Sequence, residues 1–503
     1  MRNLSLKAYF SRVFLYSFAL LLVFLHSCQQ VRPVAQKPYY YTLTIAHVND
    51  THGHLEPEPV RLAHGRDAHT VDIGGFTRLS SALEDVRRSN SNVVFLHAGD
   101  VFVGTPYFLK YLGQADLECF NAMGLNALAL GNHEFDKGPA PLSVFIKGAK
   151  FPVLSANVDF SGEPLLRDIV KPYAVLEVGG EKIGVIGVTT PDTQKISQGK
   201  SKAIFFDPLA ALQLYVVQLK SMGVNKIILL SHLGYGKDLE LAEKLSGVDV
   251  IVGGHSHTLL AHTLLPHPLQ AHPLPAQTPQ DSDVLKAFGL FPEGPYPTEV
   301  KGADGRPVLV VQAWDNGKEL GVIKVDFDAD GVITSYKAEP VIIVSSVQKE
   351  EETPAFTGFL KELVSGGTFK VYHESYGVHD IVQRYKSPIE KFMKEVVAKA
   401  GENLIRGYNT GPGPLVADSF AMKTRYLGVS LAIVNAGAIR SNLFKGDVTV
   451  GDVYTMLPFG DTLVVMELTG KQLREAIEES VDFLVKRGKK PPYLYVSGFS
   501  LSV

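Results

Sequence analysis

Five times along the chain a short apolar run breaks off into Asp, Asn or His. The runs are Ile45-Ala46-His47-Val48 before Asn49-Asp50-Thr51-His52, Phe95-Leu96-His97-Ala98 before Gly99-Asp100, Leu130 before Gly131-Asn132-His133, Leu229-Leu230-Ser231 before His232, and Val252-Gly253-Gly254 before His255-Ser256-His257. Near-continuous apolar runs of this kind read as strands of a sheet covered on both faces. Polar side chains have little place inside such strands and collect where the chain leaves the sheet. In open α/β sheets that carboxyl edge is also where ligands bind. Each segment alone is weak, because an Asp-x-His is usually a turn and a His after a strand usually has a structural partner. Together they constrain the chain to a sheet whose strand ends meet around one polar site.

The fullest of these stretches is Asn126 to Asp136. Ala127-Leu128-Ala129-Leu130 reads as a buried strand, and Gly131 is expected to let the chain turn sharply as it leaves the sheet. Asn132, His133 and Asp136 then stand at the strand's carboxyl end. A plainer reading has Asp136 only capping the helix after the turn.

Elsewhere strand and helix signals alternate. Strands are expected at Thr42 to Val48, Asn92 to Leu96, Lys226 to Leu230, Asp249 to Val252, Pro307 to Ala313 and Leu320 to Phe327. Helical spacing marks Gly75 to Ser89, a single helix around Tyr107 to Met123, Ala210 to Met222 and Leu239 to Leu245, and Val175 to Val188 reads as a hairpin turned at Gly179-Gly180. The class is α/β (α+β), with helices covering a sheet sandwich. From His262 to about Lys301 the sequence turns His- and Pro-rich. It reads as a surface insertion with solvated histidines rather than a metal-binding tract, since no carboxylate or cysteine accompanies it.

At 503 residues the chain is too long for one core. The first domain is expected over 42–345, a charged connector over 346–375, and a second domain over 376–503 that opens with a helix near Lys386 to Ala400. Its further helices are expected at Leu415 to Tyr426 and Gly470 to Lys486, and its strands at Ser430 to Val434 and Thr462 to Glu467. A net charge of −3 gives no field that would draw in nucleic acid.

The N-terminus reads as a targeting segment. Arg2, Lys7 and Arg12 precede the apolar run Val13 to Leu25, which is shorter than the roughly 20 residues that span a bilayer as a helix. Leu25-His26-Ser27-Cys28 resembles a lipoprotein cleavage box, and 29–41 a polar tether. The expectation is an exported monomer of the periplasm or cell envelope, meeting the membrane only through a lipid on Cys28. The other cysteine, Cys119, falls in a helical pattern and reads as a buried thiol.

The order Asp-x-His, Gly-Asp, Gly-Asn-His-Glu, His, Gly-His-x-His resembles that of the calcineurin-like metallophosphoesterases, and within them the exported 5′-nucleotidase family. The resemblance runs from about residue 42 to 503. It implies a four-layer αββα sandwich followed by a smaller α/β domain. It also implies one divalent ion on Asp50, His52, Asp100 and His257, and a second on Asp100, Asn132, His232 and His255, with Asp100 bridging. Such donors suit Zn, Mn, Co or Fe, and the lack of thiolates excludes a Cys-rich structural zinc site. Two ions about 3.5–4 Å apart can hold a bridging hydroxide and neutralise the attacking and leaving oxygens of an in-line displacement at phosphorus. By the same resemblance His133 and Asp136 form a catalytic dyad, the carboxylate orienting the imidazole.

In the second domain Asn435-Ala436-Gly437-Ala438-Ile439-Arg440 looks like the family's Asn-x-Gly-x-Ile-Arg motif. It implies Arg440 as a phosphate clamp, with Asn435 beside it. Leu457-Pro458-Phe459-Gly460 resembles the segment that carries a base-stacking ring, Phe459. Two features depart from the pattern. Gly411-Pro412-Gly413-Pro414 replaces a turn that paired arginines usually precede, leaving Arg406 as the nearby candidate, and the Gly-Gly-Asp-Gly-aromatic segment with the second ring is absent before Val503, so this domain reads as truncated. The expected activity is release of phosphate from nucleotides. The alternatives are a 2′,3′-cyclic-nucleotide diesterase, a UDP-sugar hydrolase or a sulfur-oxyanion hydrolase on the same scaffold, and, in another class, a non-enzymatic surface lipoprotein.

Overall fold

The computed structural model describes residues 40–65, 67–197, 201–262, 281–345, 353–407, 411–457, 463–486 and 494–500. Cys28 and Phe459 lie outside the described residues, as does the His/Pro-rich tract over 263–280.

The strand Tyr41–Val48 shows how the sequence builds the core. Successive side chains of a strand point to opposite faces. Here Tyr41, Leu43 and Ile45 pack with Val185, Ile228, Leu230 and Val252 of a second sheet, while Ala46 and Val48 pack with Phe76, Leu79, Leu83 and Phe120 of covering helices. Both faces are apolar because both are covered.

Among the described residues the first sheet has ten strands. Its main path runs through Glu58–His64, Asp67–Ile73, Val341–Ser345, Glu319–Phe327, Tyr41–Val48, Val93–His97, Ala127–Ala129 and Val153–Leu154. The second has six, in the order Thr298–Lys301, Pro307–Val311, Val250–Gly253, Lys226–His232, Glu181–Thr189 and Tyr173–Val178. The helices Pro208–Ser221 and Tyr235–Lys244 cover the second sheet through Leu212, Val216, Leu219 and Leu241. The result is the expected helix, sheet, sheet, helix sandwich. Tyr41–Val48, Val93–His97 and Ala127–Ala129 run parallel, as do Glu181–Thr189, Lys226–His232 and Val250–Gly253, so their carboxyl ends share a direction within each sheet.

The segmentation differs from expectation in several places. Residues 346–375 do not form a free connector. The helix Pro354–Ser365 packs Phe359 and Leu363 into a satellite core, and Phe369–Tyr372 adds a parallel strand beside Val341–Ser345. The following helix runs Tyr376–Met393, earlier than expected, and buries Val378, Val382 and Ile389 against the first sheet's helices. Tyr385 Oη donates to Glu118 at 2.6 Å, Arg384 pairs with the same carboxylate, and Lys386 reaches Glu56 at 2.5 Å. The second unit therefore starts near the strand Val396–Ala400, where a helix was expected.

The insertion expected over 262–301 is also partly ordered core. Thr298–Lys301 pairs antiparallel with Pro307–Val311, and buried Tyr296 bonds His47 Nε2 at 2.7 Å between the sheets. The helix expected over Tyr107 to Met123 breaks into Pro106–Tyr111 and Gln114–Met123, because Leu112 and Gly113 take left-handed φ of 50° and 84°. In the second unit the helix Pro412–Thr424 starts at proline, which suits a first helical position. Val396–Ala400 pairs with Gly446–Thr449 and Ala432–Asn435 with Leu494–Ser497, around a core that includes Val416, Ile439, Leu443 and Tyr495. The described part of the strand expected over Thr462 to Glu467 is irregular, and Val464 stays 67% exposed without a strand partner.

Candidate metal centre

Three of the five strand ends turn with a backbone that few residues accept. Asp50, His52, Asp100, His255 and His257 have φ of 48°, 46°, 61°, 78° and 53°. Non-glycine residues are uncommon in this left-handed region, with Asn, Asp and His enriched there, and such strain clusters at functional sites. Glycines make the remaining room. A Cβ on Gly99 would lie 2.7 Å from both Gly131 N and His232 Nδ1, and one on Gly254 would lie 3.0 Å from Asp50 Oδ2. Gly131 is needed for a different reason than expected: its φ is not positive, but a Cβ there would collide with the Asp100 carboxylate.

The strand ends bring six expected ligands into two adjoining groups, Asp50 with His52 and His257, and Asp100 with His232 and His255. In the first, His52 Nε2 and His257 Nε2 are 3.1 Å apart, and Asp50 Oδ1 is 3.9 and 3.4 Å from them. In the second, His232 Nε2 is 3.0 Å from Asp100 Oδ2. The groups touch through Asp50 Oδ1, which is also 3.9 Å from His232 Nε2. Asp100 Oδ1 accepts from the His133 amide at 2.9 Å.

The ring tautomers show what this arrangement suits. His52 Nδ1 lies 3.1 Å from the Phe102 carbonyl and His232 Nδ1 lies 2.7 Å from the Ala98 carbonyl, so both nitrogens must donate. In the neutral rings each Nε2 then offers a lone pair inward, where it meets carboxylate oxygens and other lone pairs. Converging acceptors of this kind fit a cation. Asn132 adds to the fit: its Oδ1 is buried and has no hydrogen-bond partner among the described residues, which matches a neutral oxygen ligand.

Charge follows the same logic. Burial lowers the basicity of His232 and His257, but Asp100 beside the first, and Asp315 with Asp50 beside the second, push each pKa up to about 10. Burial, followed by the His232 charge, takes His255 down to about 4. Burial alone would raise the Asp100 carboxyl, but the His232 charge holds it well below the usual range.

His133 and Asp136 meet beside these groups. His133 Nδ1 donates to Asp136 Oδ2 at 2.6 Å, and the rings of His133 and His52 stand edge to face at 5.2 Å. Burial opposes the charged ring, yet Asp136 and Asp100 take it up to about 9. The plainer capping role for Asp136 is not what forms, because the next helix, Pro139–Gly148, is capped by Gly138 without a side-chain bond.

Three supporting residues were not singled out by sequence reasoning. Glu134 is fully buried and accepts from the amides of Gly131 at 2.6 Å, Asp100 at 3.1 Å, Val101 at 2.7 Å and Phe102 at 3.2 Å. It ties the second strand end to the third. Asn49 donates to Asp50 Oδ2 at 2.8 Å and to the Trp314 carbonyl at 2.7 Å. Asp315 Oδ2 stands 3.4 Å from His257 Nδ1. Glu134 sits inside a motif and could have been found there; the other two depend on a loop far along the chain.

In the second unit Asn435 and Arg440 are exposed on one turn, where Asn435 Oδ1 accepts from the Gly437 amide at 3.1 Å. Arg406 is on the adjoining segment, its amide donating to Asn442 Oδ1 at 2.8 Å beside the bridge from Leu404 to Leu443. The segments that carry these two arginines therefore adjoin in the fold.

Comparison with known proteins agrees with this layout. The family pattern described as "Calcineurin-like phosphoesterase" matches residues 43–259, and "5'-nucleotidase, C-terminal domain" matches 396–503. The chain is 34% identical over 484 residues to a "Probable 5'-nucleotidase" of Treponema pallidum, covering 91% of this chain and 78% of that protein. Among solved structures it is similar to a 5′-nucleotidase precursor from Thermus thermophilus, with TM-score 0.67 and 41% identity over 91% of this chain and 81% of that one. It is also similar to the NAD nucleotidase of Haemophilus influenzae, with TM-score 0.72 and 31% identity over 91% of this chain and 82% of that one. With both patterns matched in order and relatives aligned across the described fold, the chain belongs to the 5′-nucleotidase family of metal-dependent phosphoester hydrolases.

Proposed function

We propose that this protein is a two-metal 5′-nucleotidase that removes phosphate from nucleotides. The observation that carries the reading is the convergence of Asp50, His52 and His257, and of Asp100, His232 and His255, with the ligand atoms of each group within 4.8 Å of one another. In this reading the first group would hold one ion and the second group with Asn132 would hold another, with Asp100 the residue that would serve both. When bound, the ions supply Lewis-acid charge to a phosphoryl group and make water acidic enough to attack phosphorus near neutral pH.

The chain's own groups do the rest. His133, kept cationic by Asp136, stabilises charge on a phosphoryl or leaving oxygen and can pass its Nε2 proton to that oxygen. Glu134 holds the Asp100 and Asn132 turns at fixed separation through its four amide bonds. Arg440 and Arg406 bind the substrate's charged end, with Asn435 beside them and Phe459 stacking on the base. Residues 1–28 direct export, with Cys28 as the lipid anchor. Among the described residues no helix is long and apolar enough to cross a membrane.

A panel of AMP, UMP, 2′,3′-cyclic AMP, UDP-glucose, NAD and a thiosulfonate, each assayed with Mn²⁺, Co²⁺ and Zn²⁺, tests this. Phosphate release from a 5′-mononucleotide is expected to be fastest, and to be lost in His232→Ala. No hydrolysis of any nucleotide with any of the three metals would overturn the reading. NAD belongs in the panel because one similar structure is named an NAD nucleotidase.

A further inference from the structure

The loop from Trp314 to Lys318 contributes no expected metal ligand, yet it is built tightly onto the metal groups. Asn316 N donates to the Asp50 carbonyl at 2.8 Å, Ala313 N donates to Asn49 Oδ1 at 2.8 Å, and Trp314 N donates to the Thr258 carbonyl at 3.2 Å. Trp314, Asn316 and Gly317 all have left-handed φ, of 45°, 55° and 67°. Three such residues within four positions persist only where surrounding contacts over-determine them. Their effect is to present Asp315, with only 15% of its side chain exposed, to His257 Nδ1 at 3.4 Å.

Asp315 is itself held from behind. Lys318 Nζ pairs with Asp315 Oδ1 at 3.0 Å and with Glu58 Oε2 at 3.0 Å, while Glu58 Oε1 accepts from Asn316 at 3.0 Å and pairs with His54 Nε2 at 2.6 Å. The Lys318 ammonium also sits 4.8 Å from the Trp314 ring.

His257 needs such a partner more than its neighbours do. The rings of His52 and His232 are 10% and 0% exposed and are fixed by backbone carbonyls, whereas the His257 ring is 40% exposed. Packing alone leaves it free to turn. A carboxylate on Nδ1 both fixes the ring and directs the Nε2 lone pair toward Asp50 and His52, as outer partners of metal-binding histidines do.

We propose that Asp315 is a positioning residue that sets the metal affinity of the Asp50, His52 and His257 group alone. The inference rests on the two-ion reading given above. It is tested by titrating metal-free protein with Mn²⁺ calorimetrically, comparing the natural chain with Asp315→Ala, Asp315→Asn, His257→Ala and the Asp315→Ala/His257→Ala pair.

The natural chain should bind two ions; fewer would overturn the two-ion reading itself. Asp315→Ala should weaken one ion by about 10–100-fold and leave the other within about twofold. The nearly isosteric Asp315→Asn, which keeps an acceptor, should show a smaller loss and carries the test if the alanine variant fails to fold. Because Asp315 acts through His257, the double variant should bind no more weakly than His257→Ala. Two unchanged ions in Asp315→Ala, or equal weakening of both, would overturn the inference while leaving the two-ion reading intact.

Discussion

Glu134→Gln gives the sharpest test of how the site is built. Each Glu134 oxygen accepts two backbone amides, Oε1 from Val101 and Phe102 and Oε2 from Gly131 and Asp100. Glutamine has nearly the same shape but puts an NH₂ where one oxygen stood, so two amide donors must face a donor. An unsatisfied buried donor costs about 1–3 kcal/mol, so the swap should cost about 2–6 kcal/mol. If the NH₂ takes the Oε2 side, the unsatisfied pair includes the Asp100 amide, and the residue proposed to serve both ions loses its seat. Equilibrium unfolding in urea at fixed Mn²⁺ reads the stability, and metal analysis reads the site. The expected result is a loss of that size with fewer than two ions retained. A Glu134→Gln protein within about 0.5 kcal/mol of the natural chain, a range typical of surface substitutions, and with two ions bound would refute the reasoning.

Three further outcomes are expected. His133→Ala should lower kcat by about 10²–10⁴-fold with both ions still bound, since general acid–base groups contribute on that scale; unchanged kcat would remove His133 from the chemistry. Gly131→Ala forces a Cβ to 2.6 Å from Asp100 N, so it should lose about 1–3 kcal/mol of stability and at least one ion, both measurable on purified protein. Metal affinity should rise with pH. In the metal-free protein His232 and His257 titrate near 10, so below that pH each ion displaces a proton, and each apparent affinity should climb about tenfold per unit between about pH 6 and pH 9. A chelator-competition titration that stays flat over that range would contradict it.

The convergence of the expected ligand residues was legible because parallel strands buried on both faces leave only their carboxyl ends for polar chemistry, and the sequence shows apolar runs and their breaks directly. Layer architecture followed from the same runs. What supports the ligands was less legible. The contact from Asn49 to Trp314 spans 265 positions, and the loop that makes it has no periodicity to read. The helix Tyr376–Met393 displays an apolar face, but a face does not say which unit it will cover. That choice is made by partners such as Glu118, 267 positions from Tyr385. The stretch after Thr462 fails in the opposite direction. Its apolar run suggests a strand, but a strand exists only with a neighbour to bond, and among the described residues it has none.

The residue types at the strand ends answer two demands at once. Asp and His are donors for a divalent ion, and they also tolerate the left-handed backbone that lets a chain leave a strand and fold back over its edge. Asp50, His52, Asp100, His255 and His257 meet both. Holding five non-glycine residues there costs on the order of 5 kcal/mol at about 1 kcal/mol or more each, comparable with the whole net stability of a domain. Other contacts must offset that strain, and they are visible: the amides gathered by Glu134, the Asn49 bonds to the 313–316 loop, and the carbonyls that fix His52 and His232. Glycines at 99, 131 and 254 are then the positions where two such turns pass too close for any side chain. The motifs are recognisable across the sequence because coordination and backbone geometry select the same few residue types at the same few positions.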